Sequence, residues 1–191
     1  MRIIAGTMRG KKLAEFATEE IRPITDMAKT ALFNILCDKI TGADFLDLYA
    51  RTGSVGLEAI SRGANSAVFV DVSREACSII KKNITLTKFD DKCRVFNARC
   101  KESIKRMKTK FHFIFMDPPF FDKIDLDVFA AIEENDILHN GGELILKHFE
   151  KVVPPEGFKT LKLYDIRRYG NSKLSFYLKT SEQKNEEEVK Q

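Results

Sequence analysis

The segment Asp117-Pro118-Pro119-Phe120 carries the most distinctive chemistry in this 191-residue chain. Two consecutive prolines remove two backbone N–H donors and stiffen the backbone. The Asp117 carboxylate and the neighbouring carbonyl groups therefore present acceptors from a rigid frame, and Phe120 offers a flat apolar ring beside them. This set suits an exocyclic amine on a planar base that stacks on the ring. The structural alternative is a proline-rich turn with a core phenylalanine.

A second candidate site is the glycine-containing loop DLYARTGSVG over residues 47–56. Gly53 and Gly56 would let the backbone approach a ligand closely, and the helix start that follows would add free N–H donors. The loop lacks the G-x-G-x-x-G dinucleotide fingerprint, because Arg51 stands where the first glycine would be. Asp71 follows the next predicted strand, where an acid often binds ribose hydroxyls. A tight turn and a helix-capping carboxylate are the structural alternatives.

Alternating strands and helices must position these motifs. Apolar runs predict parallel strands at 45–50, 67–71, 94–97, 111–116 and 143–146. Helices are predicted from an Asp26 cap to residue 40, and at 55–61, 73–86 and 127–138, with a short basic helix after 97. Residues 161–169 and 173–178 predict an antiparallel hairpin. The pattern is that of an α/β sheet with helices on both faces and ligands at the carboxyl ends of its strands.

The chain divides into three predicted regions. Residues 1–25 form a basic extension, in which 2–4 pair with 12–13 as a small hairpin. Residues 26–179 form the α/β domain. Residues 180–191 form a polar tail that we expect to be disordered, because it has almost nothing to bury.

Composition favours a globular protein, with 43% hydrophobic and 31% charged residues. The chain has no apolar run of the roughly 18 residues that a membrane span needs and no secretory-type start, so we expect a cytoplasmic protein. Its four cysteines lack C-x-x-C spacing and its three histidines are widely spread. We therefore expect buried, reduced thiols and no metal site.

The net charge of +4 is unevenly distributed. Basic side chains cluster within residues 2–12, 99–110 and 159–179. Such clusters favour a polyanionic partner, and solvated faces are the alternative.

The order of these motifs resembles that of class I, AdoMet-dependent amino-methyltransferases. The segments RIIAGTMRGKKL (2–13) and RPITD (22–26) narrow the resemblance to the RsmD family, whose members methylate the N2 amine of a guanine in small-subunit (16S) ribosomal RNA. The resemblance covers roughly residues 1–179. It implies a doubly wound, mostly parallel seven-stranded sheet of the class I methyltransferase type with a C-terminal antiparallel hairpin.

The resemblance also implies ligands and partners. The cofactor would be S-adenosyl-L-methionine (AdoMet). The partner would be small-subunit ribosomal RNA or an assembling small ribosomal subunit. We expect the protein to be a monomer that binds neither a membrane nor a metal ion.

Roles for individual residues follow from the same resemblance. Asp117, Pro118 and Phe120 would hold a flipped guanine while the methyl group transfers by direct in-line displacement. The residues expected to line the AdoMet pocket are Asp47, Ala50, Gly53, Gly56, Asp71 and Cys100. The residues expected to bind RNA are Arg2, Arg9, Lys11, Lys12, Arg22 and Thr25, with Arg167, Arg168 and Lys173 as further candidates.

Two residues depart from the family pattern. Arg51 replaces a glycine, and a positive φ there would cost roughly 1–2 kcal/mol for an L-residue. Arg99 stands where the family usually has Asp or Asn, which accept from the adenine amine. Arginine has no acceptor, so we expect Asn97 to serve instead if the register allows it.

Two other functions stay open. A catalytically silent RNA-binding or ribosome-assembly protein on the same fold would explain Arg51 and Arg99. A DNA adenine-N6 methyltransferase could also use an Asp-Pro-Pro-Phe segment, although we expect no separate target-recognition domain within these 191 residues and the N-terminal segment favours RNA. A nucleotide-dependent oxidoreductase is disfavoured because the glycine fingerprint is incomplete.

Overall fold

The sheet has seven strands in the computed structural model, which describes residues 1–17, 24–119 and 124–181. The strands are β1 (Asp44–Leu48), β2 (Ser66–Asp71), β3 (Cys93–Asn97), β4 (Phe111–Met116), β5 (Leu138–Phe149), β6 (Leu161–Tyr169) and β7 (Ser172–Lys179). Their order is β3-β2-β1-β4-β5-β7-β6. β1 to β5 are parallel, and β7 is antiparallel to β5 and β6. The predicted fold class is confirmed.

Helices cover both faces of the sheet. The helices are α1 (Asp26–Leu36), α2 (Ser54–Ser61), α3 (Arg74–Thr87), α4 (Cys100–Ile104) and α5 (Leu126–Glu134). Successive side chains of a strand point to opposite faces. Phe45 and Phe113 therefore join the core beneath α1, α2 and α3, whereas Leu46 and Ile114 join the core beneath α4 and α5. This double burial explains the nearly unbroken apolar run of β4.

Some element boundaries differ from the prediction. α1 is capped by Thr25, whose hydroxyl accepts from the Ala28 N–H at 3.2 Å, rather than by Asp26. It ends at Leu36 and continues as a 3-10 turn over Cys37–Ile40. α5 ends at Glu134, not at 138, because Asp136 takes the left-handed φ of 50°. β5 accordingly begins at Leu138, earlier than the predicted 143.

The chain order reverses between β1 and β4, which are neighbours in the sheet. In open α/β sheets, ligands bind at the carboxyl ends of the strands beside such a reversal. The carboxyl ends of β1, β2 and β4 lead into residues 49–53, Asp71 and Asp117 respectively. Tertiary structure thus brings the two predicted motifs and Asp71 to one edge of the sheet.

The N-terminal extension is held against α1, α2 and α3 by buried polar side chains. It folds back on itself through an antiparallel bridge between Arg2 and Lys12, as the predicted hairpin requires. The Glu58 carboxylate accepts from the Ile4 and Ala5 N–H groups at 2.8 and 2.9 Å. Further contacts come from the Lys29 ammonium, which donates to the Arg2 carbonyl at 2.8 Å, and from Asn83, which bonds both backbone groups of Ala14. The proposed boundary at residue 25 stays a prediction.

No helix among the described residues is both long and apolar enough to cross a membrane. All four cysteines are free thiols. Cys77 and Cys100 are buried as expected, whereas Cys93 is only half-buried and Cys37 is exposed, so the expectation of buried thiols is wrong for Cys37 and holds only in part for Cys93. Most of the predicted tail, residues 182–191, lies outside the described residues.

Candidate active site

Two adjoining cavities open at the carboxyl ends of β1, β2 and β4 within the described part of the chain. They share four lining residues, Phe16, Tyr49, Arg51 and Asp117. The first is also lined by Asp47, Ala50, Thr52, Ser54, Val55 and Phe115, and by Met1, Glu15 and Ile24. The second is also lined by Asp71, Val72, Ser73, Glu75, Ala76 and Pro119. The N-terminal extension therefore forms one wall of the site.

The loop after β1 is wound through left-handed conformations. Tyr49 has φ 58°, Arg51 has φ 53° and Gly53 has φ 73°. The expectation that position 51 could need positive φ is confirmed. Hydrogen bonds offset the strain: the Arg51 N–H donates to the Asp71 carboxylate at 2.9 Å, and the Gly53 N–H donates to the Ala50 carbonyl at 2.7 Å.

Packing against β2 requires a glycine at position 56. A Cβ on Gly56 would lie 2.4 Å from Cε1 of Phe69, inside contact distance. Its N–H donates to Oδ2 of Asp47 at 3.0 Å, which ties the first turn of α2 to β1. A Cβ on Gly53 would also meet Phe69, at 3.2 Å. The two predicted cofactor glycines thus let α2 start close against the sheet.

Asp47 is a buried carboxylate at the floor of the site, with only 2% of its surface exposed. Burial raises its pKa well above the usual range, although the hydrogen bond from Gly56 lowers it. The nearby charges of Asp117 and Asp71 raise it further. The three carboxyl groups therefore lie close enough to influence one another electrostatically.

Asp71 ends β2 and organises the turn that follows. Its Oδ2 accepts from the Arg51 N–H and its Oδ1 accepts from the Ser73 N–H, each at 2.9 Å. A carboxylate oxygen has two acceptor positions, so each still has capacity for one more donor. The Asn97 amide donates to the carbonyls of Asp71 and Val72 at 3.1 and 2.9 Å, which fixes the turn.

Arg99 lies exposed at the N-cap of α4, and its side chain makes no cap hydrogen bond. Cys100, the next residue, is 5% exposed and packs into the core beneath α4 and α5. Its side chain lines neither of the two cavities. Cys100 nevertheless lies beside Tyr49, which lines both cavities, and within electrostatic reach of Asp71.

Asp117 is bound by a lysine that sequence reasoning missed. Nζ of Lys147 lies 2.7 Å from Oδ1 and 2.9 Å from Oδ2 of Asp117. The parallel register that pairs Met116 with Leu146 places the two residues side by side at the ends of β4 and β5. About 15% of the Asp117 side chain and 14% of the Lys147 side chain are exposed, so this ion pair is shielded from solvent. Phe120 lies outside the described residues.

Tyr49 is a second residue that sequence reasoning missed. It lines both cavities, and its hydroxyl donates to the Asp125 carboxylate at 2.7 Å. Burial, followed by the proximity of Cys100 and Asp125, raises the pKa of Tyr49, so it stays a neutral donor. Its position directly after β1 was the signal that could have identified it. Glu15 and Phe16 carried no comparable signal.

The predicted RNA-binding residues lie at different distances from the cavities. Arg2 and Lys12 are exposed and bridge to one another, and Arg2 pairs with Asp26 at 3.4 Å. Arg9 is exposed and lies near the C-terminal end of α2, because the N–H of the preceding Met8 donates to the Ser61 hydroxyl there. This end of α2 is roughly 12 Å from the helix start that borders the cavities. Lys11 is also exposed.

Two further predicted residues lie in the segment that leads into α1. Thr25 uses its hydroxyl as the helix cap, and Arg22 lies outside the described residues. Within residues 1–17, 24–119 and 124–181, no group of three or more His, Cys, Asp or Glu side chains is placed to hold a metal ion.

Comparison with known proteins decides the family. The family model described as "Conserved hypothetical protein 95" matches residues 1–178. The YlbH protein of Bacillus subtilis is 30% identical over 182 residues, covering 94% of this chain and 99% of YlbH. The chain is also 34% identical over 168 residues to the Haemophilus influenzae protein named Ribosomal RNA small subunit methyltransferase D, covering 85% and 86% of the two chains. The chain belongs to the RsmD family.

Solved structures agree with this membership. The yhhF protein of Escherichia coli superposes on this RsmD-family chain with a TM-score of 0.84 and 27% identity, covering 94% of this chain and 98% of the other. The class I methyltransferase fold of the RsmD-family chain is thereby established.

Proposed function

We propose that this chain transfers a methyl group from AdoMet to the exocyclic N2 amine of a guanine in small-subunit ribosomal RNA. One observation carries the proposal: the loop after β1, the Asp71 carboxylate and Asp117-Pro118-Pro119 converge on one site in an RsmD-family fold. Relatives named as small-subunit ribosomal RNA methyltransferases support the choice of RNA as substrate.

The side chains around the cavities fit AdoMet. Asp71 retains acceptor capacity for the ribose hydroxyls, and the first N–H groups of α2, beside Thr52 and Ser54, suit the cofactor's carboxylate. Asp71 supplies negative charge beside the cavities, and Phe16 and Tyr49 supply aromatic faces, both of which stabilise a sulfonium cation. When bound, AdoMet supplies an electrophilic methyl group.

Asp117 and the Pro118 carbonyl hold and activate the guanine amine. The lone pair of that amine is delocalised into the ring, so the amine is a poor nucleophile. Two hydrogen bonds, one from each N–H to Asp117 and to Pro118, favour a pyramidal nitrogen and aim its lone pair. The Asp117 carboxylate then takes the proton that the methylated amine releases. Rate acceleration comes from positioning and preorganised acceptors, with the flipped base stacked on Phe120.

Lys147 is the positioning residue for this step. Its ammonium contacts both oxygens of Asp117 and leaves one further acceptor site on each. The pair therefore fixes the plane of the carboxylate without blocking the amine. It also offsets the repulsion between Asp117 and the neighbouring Asp47 and Asp71.

Exposed cations extend from the site toward an RNA partner. Arg2, Arg9, Lys11 and Lys12 are exposed on the N-terminal extension. On the other side of the site, Arg167, Arg168 and Lys173 lie at the ends of β6 and β7 that share the carboxyl edge of β5. Arg168 pairs with Glu150 and Arg167 with Asp165, which partly neutralises this second group. The N-terminal group is therefore the stronger candidate for phosphate contacts.

A silent RNA-binding protein on the same fold is the second candidate. The observation that favours it is Arg99, which is exposed at the N-cap of α4 and has no acceptor to offer an adenine amine. Arg51 no longer supports it, because the loop accommodates Arg51 with backbone hydrogen bonds.

The first test is calorimetric titration with AdoMet and with S-adenosylhomocysteine, followed by methyl transfer from labelled AdoMet to undermethylated small subunits. The product nucleoside is identified by mass spectrometry, and Asp117→Ala is the inactive control. N2-methylguanosine made by the wild type alone is the expected outcome. RNA binding without AdoMet binding would instead identify a catalytically silent RNA-binding protein. Methylation of adenine in duplex DNA would contradict the proposal that RNA is the substrate.

A further inference from the structure

A groove runs along the edge strand β3, on the face of the sheet opposite α3. Val95 packs into the core beneath α3, so its strand neighbours Arg94 and Phe96 point to the other face. That face carries α4, which spans only five residues and leaves β3 uncovered. Phe96 is consequently 46% exposed, a large fraction for an aromatic ring on a strand.

The groove combines an apolar floor with a rim of four cations and two carboxylates, the latter from Asp44 and Glu102. Val68, Phe96 and Met107 line it together with Arg94, Arg106 and Lys108. These three cations are exposed, and none forms an ion pair with another described residue. Lys110, also at the rim, pairs with Asp136. The basic run within 99–110 thus supplies much of one wall, and the proposed active site makes no use of it.

The groove ends beside the candidate active site. Ala98 lines the groove and its N–H donates to the Asp71 carbonyl at 3.1 Å. From this turn the groove extends to the amino ends of β1, β2 and β4, where Asp44, Ser66 and Phe111 line it. A strand lying along β3 would therefore have one end at the cofactor turn.

We propose that this groove binds a single-stranded segment of the RNA substrate next to the target nucleotide, with a base on Phe96 and phosphates at Arg94, Arg106 and Lys108. An aromatic face set among cations is the arrangement by which proteins hold single strands. The inference rests on the proposed function, because it identifies how the same substrate extends from the active site.

The test compares two triple variants of equal charge. The groove variant is Arg94→Gln with Arg106→Gln and Lys108→Gln. The matched control is Lys81→Gln with Lys82→Gln and Lys88→Gln, which changes exposed residues on and just after α3, on the opposite face. Binding to undermethylated small-subunit ribosomal RNA is measured by filter retention over a range of salt concentrations, and AdoMet affinity is measured by calorimetry.

The groove variant should lower the slope of log affinity against log salt by about 2, since each phosphate contact on a single strand contributes about 0.7. The control should keep the wild-type slope. Phe96→Ala should weaken RNA binding by about fivefold or more, and Phe96→Tyr should restore it. AdoMet affinity should stay unchanged throughout.

An unchanged salt slope in the groove variant, or equal losses of RNA affinity in both triple variants, would refute the proposal that RNA binds in this groove. If the wild type binds RNA but not AdoMet, the proposed catalytic function is refuted. The salt dependence of RNA binding by the two triple variants would still test the groove in that case. Loss of binding to a protein of the small subunit, with RNA affinity intact, would assign the open edge of β3 to a protein strand and overturn the proposal.

Discussion

Glu58→Ala should detach the N-terminal extension and destabilise the whole domain. Glu58 is fully buried in α2 and accepts from the Ile4 and Ala5 N–H groups. It also pairs with Arg62 at 2.8 Å and lies 3.7 Å from Nζ of Lys29, whose pKa is lowered by burial. Alanine at this position would leave the Lys29 ammonium buried without its carboxylate, and two backbone donors without their acceptor.

The magnitude follows from these contacts. Breaking a buried pair by removing one partner costs about 3–5 kcal/mol. A domain of this kind has a total stability of about 5–15 kcal/mol, so the change removes a large part of it. With an m-value of about 2 kcal/mol per M of urea, the unfolding midpoint should fall by roughly 1.5–2.5 M. Hydrogen exchange of residues 1–17 should accelerate more than that of β4, because the extension loses its anchor first.

Urea unfolding followed by circular dichroism measures the loss, with Glu134→Ala as the control. Glu134 is an exposed residue of α5, and its substitution should change stability by less than about 0.5 kcal/mol. Adding Lys29→Met to Glu58→Ala removes the orphaned charge, so the double variant should be at least about 1 kcal/mol more stable than the sum of the single effects. A Glu58→Ala loss below about 1 kcal/mol, or additive single effects, would refute the reasoning.

The remaining predictions concern Lys147, His148 and the thiols. Lys147→Met should lower kcat for RNA methylation by at least about tenfold with AdoMet affinity unchanged, and Lys147→Arg should recover part of the lost activity. In steady-state kinetics, a rise in KM with kcat unchanged would contradict the positioning role. Burial holds the pKa of His148 below its usual value of about 6.5, so the unfolded chain takes up the proton first and stability falls as pH decreases below about 6.5. His148→Gln should flatten that decline in urea titrations between pH 7.5 and 5.5, and an unchanged slope would exclude His148. Iodoacetamide at pH 8 should modify Cys37 first, because Cys37 is exposed whereas burial raises the pKa values of Cys93 and Cys100 to about 12. Peptide mass spectrometry measures the order of labelling, and faster labelling of Cys100 than of Cys37 would contradict the prediction.

Local sequence patterns were sufficient for most of the fold. β4 was predicted over 111–116, the bounds observed, because a strand buried on both faces has a continuous apolar run. The Ser73 cap of α3 was also predicted, because its signal is a hydroxyl three residues before the N–H that it accepts. The early start of β5 was missed, because Gly141 and Gly142 interrupt its apolar pattern.

The reasons for some motif residues came only from packing. Sequence reasoning attributed Gly53 and Gly56 to a ligand, and the structure adds local reasons: a Cβ on Gly56 would overlap the Phe69 ring of β2, and Gly53 takes a φ of 73°. Cys100, predicted to line the cofactor pocket, packs in the core beneath α4 and α5 and contacts the cavity-lining Tyr49. These packing contacts could not be predicted, because distances across the sheet are not encoded in the spacing of a single loop.

The sequence by itself determined the α/β class, the order of the strands along the chain and the Asp-Pro-Pro motif, because these depend on residue types at short and regular spacing. Only the tertiary structure shows that Lys147 binds Asp117 and that Glu15 and Phe16 line the cavities. It alone also shows that Phe96 is exposed in the groove that Ser103 helps to line. Each of these contacts depends on strand register or on how an extension packs. Such arrangements are set by the burial of side chains that are distant in the chain, so no local pattern reports them.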